Sequence, residues 1–370
     1  MKDKISSLIT YTEKGLLSFF SALVKVLITV IWTVLWFPVA LKQAFNKSYF
    51  SEAQRKNVLV RIVENIYWVL RFHRANIFYN LYGLDIKGTK MAPYIDEIGF
   101  WRGLNKLNYS YGMNSQICLL RDKFLFYKYM KSNNMPVPEV FAVIRDGHFY
   151  DNCLREVSAE FLKKQQGYFI KDVDGECASF VKKIHDFSDL EKYSEKLQKG
   201  FYICQNAVKQ SEEMNKLNSN AINTLRVITV MKNGKARVLS ALLRCGTKET
   251  GNVDNWAAGG FAIGINENGF LKKYGLYKPG HGLKSAIHPD SKVVFEEFEI
   301  PQLSLAYEIA CRAHETLYNI GAIGWDIAIT NEGPVFIEGN DNFEITLMQA
   351  CDRPLKKDWE GLYKNYRKCD

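Results

Sequence analysis

The chain lacks the signatures of several large protein classes. Its 8 cysteines stand at 118, 153, 177, 204, 245, 311, 351 and 369. No two form a CxxC pair or a Cys/His metal spacing, which argues against a structural zinc site. Their scatter fits a reducing compartment better than a disulfide scaffold. There is no GxxxxGK[ST] phosphate loop and no GxGxxG fingerprint. Nothing resembles a Ser/His/Asp or Cys/His nucleophile arrangement, so the chemistry has to come from other groups. Acidic charge is scarce at one end: residues 1–90 carry 13 Lys/Arg against 5 Asp/Glu, which is +8 of the total of +9. The apolar stretch in that region has no small-residue cleavage site, which argues against a removed signal peptide.

What the chain does hold is enough apolar residue, 47% of 370, for two or three domains with proper cores. Leu16 to Leu41 is almost unbroken apolar sequence, interrupted by Lys25 and Pro38 and followed by Lys42, Lys47, Arg55, Lys56 and Arg61. Three readings stay open for it: a spanning helix, a helix lying in the membrane interface, and a buried core helix. The charges that follow suggest a cytoplasmic C-terminal flank, with Trp32, Trp36 and Phe37 at interface level. Asn57 to Leu84 reads as one or two amphipathic helices, packed on the rest of the chain or resting on a membrane surface. Its basic residues alternate with long aliphatic runs and not with a polar groove lining, so no nucleic-acid partner is expected.

The stretch with the most chemistry is Gly321 to Asp341, GAIGWDIAITNEGPVFIEGND. It reads as a β-hairpin: strand formers flank the break Asn331-Glu332-Gly333-Pro334. Glu338 and Asn340, two apart, share a strand face, and antiparallel pairing brings Asp326 beside them. Two carboxylates and an amide oxygen are hard ligands suited to Mg²⁺; the alternative is a strand pair with polar residues at one end.

Upstream, Leu119 to Met135 reads as one helix. The strand Tyr168-Phe169-Ile170 delivers Lys171 to a loop of small and polar residues, Asp174 to Ser179, a place where phosphate oxygens are held or, alternatively, a surface hairpin. Phe201 to Val208 is an apolar strand ending in amides. Arg226 sits in an otherwise apolar strand and needs a partner there, either a phosphate or an internal carboxylate. The double glycine Gly259-Gly260 permits close backbone approach to a ligand or makes a tight turn.

Taken in order, Asp122-Lys123, Lys171 with its loop, Gln205-Asn206, Arg226, Asp326 and Glu338-x-Asn340 resemble the ATP-grasp superfamily. The segments NAINTLRVITV, NWAAGGFAIGI, AIHPDSK, IPQLSLA and IGWDIAITNEGPVFIEGN resemble its sugar-transfer-associated family, over roughly residues 90 to 360. That resemblance implies an α+β ATP-grasp fold, two α+β subdomains clasping ATP, preceded by a helical membrane-associated region. The divisions expected are 1–90, 91–205 and 206–370.

The resemblance also implies roles. Lys123, Lys171, Asp174, Gly175, Glu176, Cys177 and Ser179 would hold ATP phosphates, with Gln205, Asn206 and Val208 along the adenine and Glu212 at the ribose. Arg226 would face the γ-phosphate and, with Lys171, act catalytically; Asp326, Glu338 and Asn340 would hold one or two Mg²⁺. Asn223, Thr224, Asn255, Gly259, Gly260 and His288 would line the acceptor side, His288 before Pro289-Asp290 being a substrate contact or a loop hydrogen-bond partner. Asp172 follows the strand lysine where many relatives have proline, and the phosphate loop has one glycine. Gly324 stands where many relatives carry an arginine. The implied activity is an ATP- and Mg²⁺-dependent ligase that activates a carboxylate and joins it to an amine or similar nucleophile. Its place would be bacterial surface polysaccharide assembly, at the cytoplasmic face of the inner membrane, on a small or lipid-linked sugar. A kinase acting on a sugar and a non-catalytic scaffold are the alternatives.

Overall fold

The computed structural model describes residues 2–109, 114–175, 180–251, 254 and 256–364, and of residues 2–23 and 257 the backbone only. Two compact units divide the chain, Met1–Ala92 and Pro93–Asp370.

In the first unit, apolar sequence makes α1 (Lys2–Phe45) a single long helix. Its stretch Val24–Phe45 has a mean hydropathy of 2.1 and is long enough to cross a membrane, yet only 6% of it is buried. That exposure removes the core-helix reading. A second helix, α2 (Val58–Phe72), starts at Asn57, whose side chain accepts from the Leu59 N–H, and ends at His73 in the left-handed region. Trp36, Phe37 and Val39 of α1 pack with Ala40, Val69 and Ala75. The loops are closed by Arg55, which donates to Asp85 at 2.8 Å and to the Asn46 carbonyl at 2.9 Å. On α2 the side chains of Leu59, Val63, Tyr67 and Leu70, three or four apart, all point outward.

The second unit is built on two antiparallel sheets. Strands β1 (Val140–Arg145), β2 (His148–Asp151), β3 (Glu156–Val157), β4 (Tyr168–Asp172), β5 (Val181–Ile184) and β6 (Phe201–Asn206) form the first, in the order β3-β2-β1-β6-β4-β5. Strand β4 lies between β6 and β5, so Lys171 is on an inner strand and not on a surface hairpin.

The second sheet has the order β11-β10-β9-β8-β7-β12-β13. Its members are β7 (Thr224–Lys232), β8 (Lys235–Cys245), β9 (Phe261–Ile265), β10 (Leu271–Tyr277), β11 (Lys284–Ser285), β12 (Ala322–Ile329) and β13 (Pro334–Asn340). Alternation sorts its two faces. Leu225, Val227, Leu243, Trp325, Ile327 and Phe336 join Ile309, Ala310 and Ala313 of the helix Leu303–Thr316 in the main core. The residues between them, Arg226, Arg244 and Asp326, therefore face the other way.

Helix α3 (Glu97–Tyr109) is tied to this sheet by Asn108, whose amide donates to the carbonyls of Ala322 and Asp341, both at 3.0 Å. The helix expected over 119–135 is instead two, α4 (Cys118–Arg121) and α5 (Lys123–Ser132). Asp122 breaks the run because it is extended (ψ 112°) and its carboxylate accepts from the N–H groups of Phe124 and Leu125.

Candidate active site

The hairpin assembles as its sequence pattern implies: Asp326 pairs with Glu338, and Gly324 with Asn340. One feature has no sequence mark. The register slips between Asp326 and Ile327, because Ile327 pairs with Phe336 and Ile337 is the extra residue of a bulge. The slip puts Phe336 on the core face, 5.1 Å centroid to centroid from Trp325, and Glu338 on the opposite face with Asp326.

Next to this hairpin, β7 places Arg226 directly across from Asp326. Arg226 Nη2 donates to Asp326 Oδ2 at 3.1 Å. Its Nε lies 2.6 Å from Oδ1 but off the line a hydrogen bond needs, so neither atom makes a directed hydrogen bond. Arg244, at the end of β8, donates to Asp326 Oδ2 at 2.9 Å and to Thr224 Oγ1 at 2.9 and 3.1 Å. Thr224 in turn donates to Asp254. Burial works against the charge on Arg244, but Asp254, Asp326 and Glu338 hold its proton more tightly than usual.

Asp326 is 1% exposed. Burial pushes its carboxyl well above the ordinary range, against the pull of the two arginines. Burial opposes charge on Glu338 too, but a hydrogen bond from Asp326 and the same arginines hold it low. The two carboxyls are therefore coupled, Asp326 displaced upward and Glu338 downward. Asn340 donates Nδ2 to Glu338 Oε1 at 3.2 Å.

This set fits a hard divalent cation. Asp326 Oδ1 is a buried oxygen on which no hydrogen-bond donor is aligned, and with the neighbouring Glu338 carboxylate it would hold such a cation. Among the described residues no three His, Cys, Asp or Glu side chains cluster, so a metal here would rest on two carboxylates, an amide and the oxygens of its own ligand.

Two lysines come from the other sheet and its flanking helix. Lys171 Nζ donates to Gln205 Oε1 at 2.7 Å; Lys123, first residue of α5, donates to the Gly175 carbonyl at 2.6 Å. Burial lowers both, most for Lys171, which falls to about 8, while Glu338 pulls each back up. Glu338 is therefore the point where cations from both sheets meet.

A polyphosphate beside Lys171 would raise its proton affinity. Its contribution to binding is full below pH 8, where the free lysine is already charged, and fades as pH rises toward the bound value. Binding of ATP at pH 8.5 is expected to take up protons, by an amount that Lys171→Met reduces; calorimetry in buffers of different ionisation enthalpy reads it. Equal uptake in both proteins would remove Lys171 from the phosphate contacts.

The remaining expected residues divide. Asn206 ends β6 and is exposed; Val208 follows it, half-buried; Glu212 is exposed at the start of a short helix, its N–H on the Asn331 side chain at 3.2 Å. Asp174 is exposed beside Lys123, and Gly259 is in the left-handed region at φ 104° with Gly260 buried next to it. Glu176, Cys177, Ser179 and Asn255 lie outside the described residues.

Two acceptor-side expectations are corrected. Asn223 is fully buried, its amide donating to Gln210 Oε1 and to the carbonyls of Met214 and Asn218, while its own oxygen accepts from Cys245. His288 is also fully buried; Nε2 meets the Gly246 carbonyl at 2.9 Å and Nδ1 accepts from the Asp290 and Ser291 N–H groups. Both fasten loops. Thr224 holds Arg244 and Asp254, so its hydroxyl is engaged as well.

Arg244 and Asp254 were not singled out from sequence. Arg244 closes the apolar run Val238–Leu243, the same signal that marks Arg226. A side chain at Gly324 would crowd Phe343, whose Cβ and Cγ lie 3.0 Å from where a Cβ would stand, so the phenylalanine would have to give way. Positive charge at Asp326 is delivered instead from β7 and β8.

A family model described as sugar-transfer associated ATP-grasp matches residues 105–358. No curated protein matches the chain. Among solved structures it is similar to biotin carboxylase from Campylobacter jejuni, at 11% identity and TM-score 0.42, covering 68% of this chain and 48% of that one. It is also similar to N5-carboxyaminoimidazole ribonucleotide synthetase from Thermotoga maritima, at 16% identity and TM-score 0.34, covering 60% and 42%. D-alanine–D-alanine ligase from Helicobacter pylori matches at 10% identity and TM-score 0.41, covering 67% and 62%. The alignments span about half the length of the first two.

Proposed function

The chain belongs to the sugar-transfer associated ATP-grasp family, and on that premise we propose that it is an ATP- and Mg²⁺-dependent ligase. It would activate a carboxylate as an acyl-phosphate and join it to an amine or similar nucleophile during assembly of a bacterial surface polysaccharide. One observation carries this reading: Lys123 and Lys171 from one side and Arg226 and Arg244 from the other converge electrostatically on Glu338, beside Asp326. Four cations around two coupled carboxyls form a site that both a metal and a polyphosphate would neutralise.

Mg²⁺, when bound, neutralises charge on the transferring phosphoryl group. The residues around it position and stabilise. Asp326, Glu338 and Asn340 would hold the metal. Lys123 and Lys171 would hold phosphate oxygens, and Arg226 would give a planar fork to the γ-phosphate. Gln205 orients Lys171 through their hydrogen bond, and Arg244 holds Asp326 in place. No side-chain nucleophile is required, because positioning and electrostatics account for this class of chemistry.

The membrane part of the reading rests on α1, with its exposed apolar stretch, and on the outward apolar stripe of α2 flanked by Arg71 and Arg74. The cytoplasmic face follows from the basic residues after the stretch.

One experiment tests both parts. Carbonate-washed membranes carrying the full-length protein are incubated with Mg-ATP and a pool of polysaccharide precursors, and products are read by mass spectrometry. A new amide or ester with release of ADP and phosphate is expected, and the protein stays with the membranes. Phosphate left on the acceptor would replace the ligase reading with a kinase one. Release of intact protein by the wash would rule out a spanning helix.

A further inference from the structure

One part of the second unit has no role in the site described so far. The outward face of α3 borders two contiguous hollows of about 580 and 290 Å³ that share Trp101, Asn105 and Tyr109. The larger is shallow, its lining all on one face of α3, and the smaller reaches down to Arg121 and Asp341. Helical spacing builds this wall: Ile98, Trp101, Arg102, Asn105 and Tyr109 recur at three or four residues, while Phe100, Leu104, Leu107 and Asn108 turn inward.

The wall is pinned. Asn108 Oδ1 accepts from the N–H groups of Gly321 and Ala322, and its Nδ2 donates to the carbonyl of Asp341. Asp341 directly follows Asn340, so the smaller hollow begins one residue, about 3.8 Å of chain, beyond the last metal-site residue.

Its floor is a built polar cluster. Asp341 is 3% exposed and receives Arg121 through Nε at 2.9 Å and Nη2 at 2.8 Å, and the Tyr109 hydroxyl at 2.5 Å. The Arg121 side chain as a whole is half exposed, and its Nη2 also donates to the Tyr109 hydroxyl at 2.8 Å. Asp341 is the one carboxylate among the described lining residues, against three cations, Arg102, Lys106 and Arg121. The hollow therefore favours an anion. The half-buried rings of Trp101 and Tyr109 supply flat apolar surface, and the amides of Asn105 and Asn342 supply paired donors and acceptors. Flat rings take the apolar C–H face of a sugar ring, amides and guanidinium take its hydroxyls, and the excess cations take a carboxylate or phosphate.

We propose that this cleft binds an acidic saccharide, one whose sugar carries a carboxylate or a phosphate. Its assignment as the docking place of the glycan substrate rests on the ligase reading above; saccharide binding itself does not.

The test is calorimetric titration of the full-length protein in detergent micelles with trigalacturonate, glucose 6-phosphate, maltotriose and Mg-ATP, each separately. Binding of trigalacturonate, of glucose 6-phosphate or of both is expected, with maltotriose at least about tenfold weaker; the acidic probe that binds tells carboxylate from phosphate. Trp101→Ala should weaken every saccharide about tenfold or more. The pair Arg102→Ala/Lys106→Ala should abolish the preference for the charged probe. Mg-ATP affinity should stay unchanged in these variants. Asn105→Ala, at an exposed position, repeats the test if Trp101→Ala fails to fold. A wild-type protein that binds Mg-ATP but neither acidic saccharide, or variants that bind them as tightly as wild type, would overturn the proposal. Saccharide binding without Mg-ATP binding would sustain it and overturn the ligase reading instead.

Discussion

Glu338→Gln is expected to lower ADP production by about 10³-fold or more, on the order of 4 kcal/mol in the barrier. The substitution preserves shape and removes charge. Glu338 is the carboxyl of the pair whose charged form is favoured, and Lys123, Lys171, Arg226 and Arg244 all act on it or are acted on by it. An amide there would offer the proposed metal one neutral oxygen in place of an anionic one, and the phosphoryl group would lose its counter-ion. Asp326→Asn should show a loss of similar size but is the less clean variant, because Asp326 also holds Arg226 and Arg244. Asn340→Ala should cost about tenfold, since it would remove the neutral oxygen proposed for the metal and the hydrogen bond to Glu338. Coupled measurement of ADP release, with circular dichroism to confirm the fold, decides the matter. Unchanged ADP release in both carboxylate variants would remove the metal from this hairpin.

The hairpin could be read from sequence because its evidence is local: strand formers, a turn-rich break and a two-residue period are all within twenty-one residues. Placing Lys171 opposite the hairpin needed the family resemblance, since the two belong to different sheets. The resemblance set Asn223 on the acceptor side and left His288 between a substrate contact and a loop hydrogen-bond partner; both turn out to hold loops. Both are fully buried, because a folded chain has to satisfy its own loops with the same groups that bind substrates. The break at Asp122 was missed for a related reason. An aspartate inside an apolar periodic run interrupts a helix only when its carboxylate caps the next turn, and the sequence alone does not show which way it turns. The bulge at Ile337 has no mark in the sequence: it reverses the facing of every residue on one side of it, and with it Phe336 packs on Trp325.

Arg244→Leu carries the largest expected cost to stability. Its guanidinium donates to Asp326 and Thr224 and lies 3.6 Å from Asp254, with its side chain 16% exposed. Leucine replaces the cation by a much shorter apolar group and leaves two carboxylates, 12% and 1% exposed, sharing what remains. Removing one partner from a buried ionic cluster costs about 3–5 kcal/mol, because the desolvated charge stays behind. For a unit of this size that is on the order of 10 °C in melting temperature. Arg244→Lys keeps the charge but not the fork that reaches Asp326 and Thr224 together, so it should recover only part of the loss. A matched substitution of an exposed arginine, Arg145→Leu at the end of β1, should shift the melt by no more than about 1 °C. Thermal melts of the three variants in chelator-containing buffer separate the contribution of the buried network from any effect of bound metal. A shift below about 2 °C for Arg244→Leu would mean that Arg226 alone neutralises Asp326, and that Arg244 is not what holds the carboxylate toward Glu338.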